Sequence, residues 1–362
     1  MRIETIDIAN FRNIETLSAE FSEGVNILYG LNGSGKTNLL EAIFVLCLGR
    51  SQRGAGDAIM VRGGEAVYRL EGVLSNGDER RQQAVAYQRG GRKKITLDSV
   101  AVRMSELYDG FSIVSIGPED SAILSGAPAV RRGFLDIYLS QQSGRYLSNL
   151  SDYARALAQK NAALKAETDA TMFDELLIKY GSEVVRARHE FLKAAEPLIR
   201  KYYHDISGGG ELAMQYVPSV GTLPETPSPG EVEAVFEQRL ALTATREAHA
   251  RLALVGPHRD DIGFVIENNP ARTHASQGEW RTAAIALKLA AYSLMRKKLA
   301  CSPVLLLDEI FAELDQERTT YLINLFDDFG QLFLTTAGEP PESLRQNGGR
   351  YRIAQGELER MS

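Results

Sequence analysis

Two cysteines, one tryptophan and five histidines in 362 residues leave little room for metal or disulfide chemistry. Cys47 and Cys301 are too far apart for the paired spacing of a zinc site and too few for a disulfide framework, so both are expected as core thiols. His189, His204, His249, His258 and His274 fall into no H-E-x-x-H pattern and no Cys/His ligand spacing, which gives metalloenzyme chemistry little support. No apolar stretch approaches the ~18 residues of a membrane span, and Met1 to Asp7 lacks the apolar core of a signal peptide. A cytoplasmic protein without membrane attachment is expected. No heptad pattern persists over several turns, and no internal repeat is present. A basic excess is missing as well. The formal charge of -6 excludes a polycation that coats nucleic acid over its whole surface, so any DNA contact must come from a local basic patch.

What is present is ordinary for a globular chain: 44% hydrophobic and 24% charged residues, at a length that suits about two domains. Ile3, Ile6 and Ile8 indicate a first strand, Leu17 to Phe21 a second, and Ser22-Glu23-Gly24 a turn into the apolar run Val25 to Tyr29. That run ends in a glycine loop, after which Leu40, Ile43, Phe44 and Cys47 recur at helical spacing. Between Glu65 and Val102, alternating segments broken by Asn76-Gly77 and Gly90-Gly91 predict an antiparallel meander. The texture changes after Phe111 to Ile116. Helical patterns run from about Pro128 to Tyr203 with interruptions near Ser143 and Thr168, and Pro218 to Gly230 reads as a loop before a helix ending near Arg251. Asp261 to Glu267 then returns to strand.

Chemistry begins at Gly30-Leu31-Asn32-Gly33-Ser34-Gly35-Lys36-Thr37, with Asn38 following. Glycines let the backbone approach a polyphosphate, loop and helix N–H groups receive its charge, Lys36 reaches the outer phosphates, and Thr37 can ligate Mg²⁺. Val304 to Leu307 reads as a buried strand that delivers Asp308 and Glu309 at its end. There Asp308 can hold Mg²⁺ through water, and Glu309 can orient and deprotonate an attacking water. Gln331 to Thr336 forms a further apolar strand ending in hydroxyls. A second helix start shaped for anions lies at Ala275-Ser276-Gln277-Gly278-Glu279. One nucleotide can sit on only one of the two.

Glycine loop, Ser-Gln-Gly helix start, Asp-Glu strand and the Leu314-Asp315 turn, in this order, resemble an ABC-type ATPase head. Within that class the chain resembles the RecF family of DNA replication and repair proteins. The resemblance rests on Asn10-Phe-Arg-Asn13, Leu48-Gly-Arg-Ser51, Gly117-Pro-Glu-Asp120, Arg131 to Asp136, Lys160-Asn161, Gly256 to Asp261 and Ala275 to Gly278, and spans nearly the whole chain. It implies an α/β fold, an ABC-type P-loop ATPase head with an antiparallel β meander and an inserted compact helical lobe. The ATPase lobe is expected to comprise residues 1–112 and 253–362, with the helical lobe at 113–252. The stretch between Lys36 and Ser276 is filled by meander and helices, leaving no room for long coiled-coil arms.

The resemblance further implies residue roles. Lys36 and Thr37 bind phosphate and Mg²⁺, Asp308 the metal and Glu309 the water, with Arg12 and Asn13 on the nucleotide. Ser276 and Gly278 meet the γ-phosphate bound by a partner subunit, and Asp315 lies at the same seam, so ATP would bridge a head-to-tail homodimer. The implied activity is slow, DNA-dependent ATP hydrolysis that resets a clamp on gapped or junction DNA, aiding RecA loading with RecO and RecR. A transporter-type ATPase subunit is the alternative, and it lacks its marks here: Thr335 and Thr336 stand where such proteins place a switch histidine. Glu309 argues against a scaffold that merely holds ATP.

Some residues depart from the pattern or stay open. Many relatives carry Gln where this chain has Glu279, whose side chain is expected to point away from the helix start. Gly117 to Asp120 offers only carboxylates where ABC heads have a metal-contacting Gln. Arg80, Arg81, Arg89, Arg92, Lys93 and Lys94, with Tyr87 and no acid among them, form either a phosphate-tracking surface or a solvated sheet face with charged edges. Arg131 and Arg132 are either DNA contacts or partners of nearby acids. His258-Arg259-Asp260-Asp261 reads as an interlobe polar network.

Overall fold

The computed structural model describes residues 1–108, 110–312, 314–338, 348–354 and 356–361. Two compact units emerge, the first comprising Met1–Asp120, Ile206–Gly208 and Ala291–Ser362, the second Ser121–Asp205 and Gly209–Ala290. The division falls at 120/121 and 290/291 rather than at the expected 112/113 and 252/253, so residues 253–290 pack with the helical unit. A single helix carries the chain across the later boundary.

The first unit opens with β1 (Arg2–Phe11), β2 (Ile14–Glu20), β3 (Val25–Tyr29), α1 (Lys36–Leu48) and the short α2 (Asp57–Met60). The meander follows as β4 (Val67–Asn76), β5 (Glu79–Gln88), β6 (Lys94–Leu97) and β7 (Val100–Ala101), and β8 (Ile113–Ile116) ends this part. Its antiparallel sheet has the order β2-β1-β4-β5-β6-β7. Tyr68, Leu70 and Leu74 alternate inward along β4, and Gly77 takes φ +60 in the tight β4–β5 turn that the Asn-Gly pair predicts.

In the second unit, α3 (Ala122–Ser125), α4 (Pro128–Gln142), α5 (Gly144–Lys165) and most of α6 (Asp174–Ser207) precede β9 (Leu212–Val217) and α7 (Pro229–Ala250). Then come β10 (Asp261–Ile266), β11 (Asn269–Pro270), α8 (Ala271–His274) and α9 (Gln277–Leu299), which continues into the first unit. The interruption near Ser143 is a helix start, since the Ser143 hydroxyl accepts from the Tyr146 N–H. A capping box at Ser228 and Glu231 starts α7. The strand expected at Asp261 pairs with β9 and β11 in a three-stranded sheet.

Back in the first unit, β12 (Val304–Leu307), α10 (Gln316–Asn324), β13 (Leu332–Thr336), β14 (Gly348–Ala354) and β15 (Glu357–Met361) complete the chain. The second sheet has the order β15-β14-β3-β13-β12-β8, parallel except for the β14–β15 pair. Helix α1 packs against β1, β4 and β5 of the meander sheet and β8 and β13 of the parallel one. That explains why it is apolar on every side: Leu39, Leu40, Ala42 and Ile43 through Leu48 are all buried. Each such Leu, Ile or Phe contributes about 1.5–3 kcal/mol. No helix among the described residues is long and apolar enough to cross a membrane. Of the two cysteines Cys47 is buried as expected, but Cys301 is only half-buried.

Candidate active site

Parallel pairing puts the carboxyl ends of β3, β8, β12 and β13 at one edge of the sheet, the edge where α/β folds bind ligands. The glycine loop leaves β3 there and enters α1. A Cβ at Gly30 would lie 2.2 Å from the carbonyl oxygen of Ile353, and Gly35 has φ +112, a conformation that side chains rarely adopt. The loop is braced from the C-terminal hairpin, where the Gly356 N–H donates to the Ser34 carbonyl at 3.1 Å.

Lys36 is 3% exposed, and its ammonium donates to the carbonyls of Gly30 (2.8 Å) and Leu31 (3.1 Å). It also lies 3.6 Å from the Glu309 carboxylate. Thr37 Oγ1 donates to Asp308 Oδ1 at 3.0 Å, and Thr335 Oγ1 donates to the same oxygen at 2.7 Å. Burial pushes the Asp308 carboxyl above its ordinary pKa; the Thr335 and Thr37 hydroxyls oppose this, and the nearby Glu119 and Glu309 charges reinforce it. Glu119 is itself paired with Arg53 at 2.6 Å.

Asn13 bridges the loop, donating to the Gly33 carbonyl at 3.3 Å and accepting from Asn38 at 2.7 Å. Asn32 and Leu31 are exposed at the loop tip. Arg12 is occupied locally: Nε and Nη2 grip the fully buried Glu41 at 2.8 and 2.9 Å. Asp315 is the N-cap of α10, accepting from the Arg318 N–H. In the second unit, Ser276 and Gly278 are exposed at the start of α9. Glu279 does not point away. Its Oε2 accepts from the Ser276 N–H and hydroxyl, both at 2.7 Å, because a Ser followed by Glu three residues on closes a capping box.

The loop suits a polyphosphate. Gly30, Gly33 and Gly35 all take positive φ, Gly30 packs where a Cβ would strike the Ile353 carbonyl, and the buried Ser34 hydroxyl has no partner among the described residues. Thr37 with Asp308 offers a hydroxyl and a carboxylate to a divalent cation. No group of three or more His, Cys, Asp or Glu suited to a metal is present among the described residues, so phosphate oxygens and waters would complete its shell.

The blocks specific to the resemblance converge elsewhere, inside the second unit. Arg131 pairs with Asp261 at 2.5 Å, and Arg132 donates to the Asp260 carbonyl at 2.8 Å. Arg188, 2% exposed, bridges Asp136 (2.8 Å) and Asp260 (3.2 Å). Lys160 joins Asp174 and the buried Glu247, both at 2.7 Å. Arg131 is thus the partner of an acid and Arg132 of a backbone carbonyl, and the His258–Asp261 cluster binds partners within one unit instead of joining lobes. Arg188 sits in no recognisable motif, and Thr335, expected only as a hydroxyl at a strand end, is brought onto Asp308 and Glu309.

In the basic segment, Arg80 pairs with Glu4 at 2.7 Å, Lys93 pairs with Asp57 at 2.8 Å and donates to the Gly49 carbonyl, and Arg89 donates to the carbonyls of Glu65 and Val61. Arg92 and Lys94 are exposed.

A glycine loop between β3 and α1, with Asp-Glu at the end of a strand in the same parallel sheet and an antiparallel meander beside it, defines the head of an ABC-type ATPase. The model of the RecF/RecN/SMC N-terminal domain matches residues 2–343. DNA replication and repair protein RecF of Moorella thermoacetica is 35% identical over 371 residues, covering 100% of this chain and 97% of the relative. Two solved structures of the recombination mediator protein RecF in the RecFOR pathway are each 30% identical. The ATP form has a TM-score of 0.91 and covers 99% of this chain and 97% of its own. The ATPrS form has a TM-score of 0.89, with coverage of 100% and 98%. The chain belongs to the RecF family of DNA replication and repair proteins.

Proposed function

We propose that this protein is an ATP-dependent DNA clamp of recombinational repair, which dimerises on ATP, binds gapped or junction DNA and hydrolyses ATP slowly to reset. The observation that carries the reading is the meeting of Lys36, Thr37, Asp308 and Glu309 at one sheet edge. Loop N–H groups and Lys36 hold the triphosphate, and Thr37 and Asp308 hold Mg²⁺. Bound there, the cation neutralises charge on the phosphates. Glu309 takes the proton of the attacking water; its present pairing with Lys36 gives way when the ammonium turns to phosphate.

The exposed Ser276–Gly278 start of α9 supplies anion-binding N–H groups with no phosphate loop of its own, and we assign them to the γ-phosphate of a second copy, with Asp315 at the same seam. Dimer stability then follows ATP occupancy by mass action. We assign Asn13, bonded to Gly33 and Asn38, to the nucleotide side of the loop, with Arg12 next to it in the chain although Glu41 holds its guanidinium. The ATPase lobe and the helical insertion act as the two parts of each protomer, and RecO and RecR are the expected partners in RecA loading. Analytical ultracentrifugation tests this: ATP converts monomer to dimer, gapped duplex joins the dimer, and Lys36→Met abolishes both. A chain that stays monomeric with saturating ATP and DNA overturns the clamp.

A further inference from the structure

Thr335 lies 1% exposed at the carboxyl end of β13, one residue past the Leu307–Leu334 register pair. Its hydroxyl makes two bonds. Oγ1 donates to Asp308 Oδ1 at 2.7 Å and accepts from the backbone N–H of Glu309 at 2.8 Å. A hydroxyl carries one proton and two acceptor sites, so with its O–H pointed at Asp308 the Glu309 N–H meets a lone pair and both bonds coexist. One side chain thereby holds the carboxylate of one residue and the backbone of the next.

That backbone is unusual. Glu309 has φ +46, a left-handed conformation that is strained for a residue bearing a Cβ. The Thr335 bond helps to offset the strain, and the resulting turn brings the Glu309 carboxylate to 3.6 Å from Lys36. Asp308 Oδ1 also receives the Thr37 hydroxyl, yet Thr37 is partly exposed at the head of α1 while Thr335 is buried. The Thr335 bond is the one that persists when Thr37 turns to a metal.

We propose that Thr335 is the positioning residue of the hydrolytic site, its single hydroxyl fixing the Asp308 carboxylate for metal and the Glu309 turn for water activation. The inference rests on the ATPase reading above. Serine retains both bonds, whereas valine keeps the shape and loses both.

The test compares Thr335→Val, Thr335→Ser and Glu309→Gln in the full chain. Binding of a fluorescent ATP analogue without divalent cation should be equal in Thr335→Val, Thr335→Ser and the parent. Mn²⁺ affinity of the ATP-loaded protein, read by electron paramagnetic resonance, and ATP turnover should both fall roughly 10–100-fold in Thr335→Val, the loss expected for removing an outer partner of a metal ligand. Thr335→Ser should match the parent in both. Parental Mn²⁺ affinity and turnover in Thr335→Val, or equal losses in the serine variant, overturn the inference. Should Thr335→Val fail to fold, Thr335→Ala removes the hydroxyl without a branched methyl against Asp308 and decides in the same way. Undiminished turnover in Glu309→Gln instead overturns the ATPase reading, while the Mn²⁺ comparison still decides the role of Thr335.

Discussion

Glu279 folds back onto Ser276, its Oε2 accepting from the serine N–H and hydroxyl at 2.7 Å each, while the Glu279 N–H returns to Ser276 Oγ at 3.3 Å. This reciprocal cap stabilises the start of α9, and it also parks a carboxylate on the N–H groups assigned to a phosphate. Glutamine can keep the cap without the charge. An anion at a helix N-terminus is worth about 0.3–1 kcal/mol, so Glu279→Gln should tighten ATP-driven dimerisation by roughly two- to fivefold. Sedimentation across an ATP titration reads the change, and an unshifted or weakened midpoint contradicts the competition.

Ser276→Arg separates the two anion sites. Because Lys36 and Ser276 belong to different sites, the variant should bind ATP with parental affinity and remain monomeric. Glu309→Gln should do the reverse, accumulating ATP-bound dimers. Normal ATP-dependent dimers of Ser276→Arg would remove the composite site.

His258 makes the helical unit sensitive to acid. Its Nδ1 lies 2.6 Å from the Tyr153 hydroxyl and its Nε2 3.2 Å from the Ala253 carbonyl, so the neutral ring donates through Nε2 and accepts from tyrosine at Nδ1. Burial first, then the charges of Arg259 and Arg132, push its pKa down from 6.5 to about 4. The unfolded chain therefore takes up the proton first as pH falls. Stability from this group is complete above pH 6.5 and is lost progressively toward pH 4, by about 3 kcal/mol in all. Chemical denaturation at pH 7 and pH 4.5 should show a smaller acid-side loss in His258→Asn than in the parent. Equal losses would assign the sensitivity to another group.

Much of this was legible in the sequence where one segment carries its own signal. The run Val25 to Tyr29 ends where β3 ends, α1 starts at Lys36, and the gap near Ser143 is a helix cap, because turn chemistry and apolar period act over a few residues. β9 was missed, since Leu212 to Val217 is short and only partly buried. β14 was missed as well, since Gly348-Gly349-Arg350 opens it without an apolar run. Within the site, Lys36, Thr37, Asp308 and Glu309 were readable from local pattern. The partners of Thr335 were not, because they depend on the register of β13 against β12. The direction of Glu279 was misjudged for a related reason. The expectation weighed its charge against a phosphate, whereas the Ser-x-x-Glu spacing turns the carboxylate back onto the Ser276 N–H and hydroxyl.

The basic segment now yields a narrower DNA prediction. Arg80, Arg89 and Lys93 are engaged with Glu4, with backbone carbonyls, and with Asp57, so reversing their charge would disturb the first unit as well as any DNA binding. Arg92 and Lys94 flank Lys93 and are exposed beside the turn into β6, where a phosphate can reach them. Arg92→Glu with Lys94→Glu should leave thermal stability and ATP binding unchanged. For every DNA phosphate that the variant no longer neutralises, the slope of log affinity against log salt should flatten by about 1. Gapped-duplex binding measured from low to moderate salt reads that slope directly. An unchanged slope would return the segment to a solvated sheet edge, whose charges discourage strand pairing.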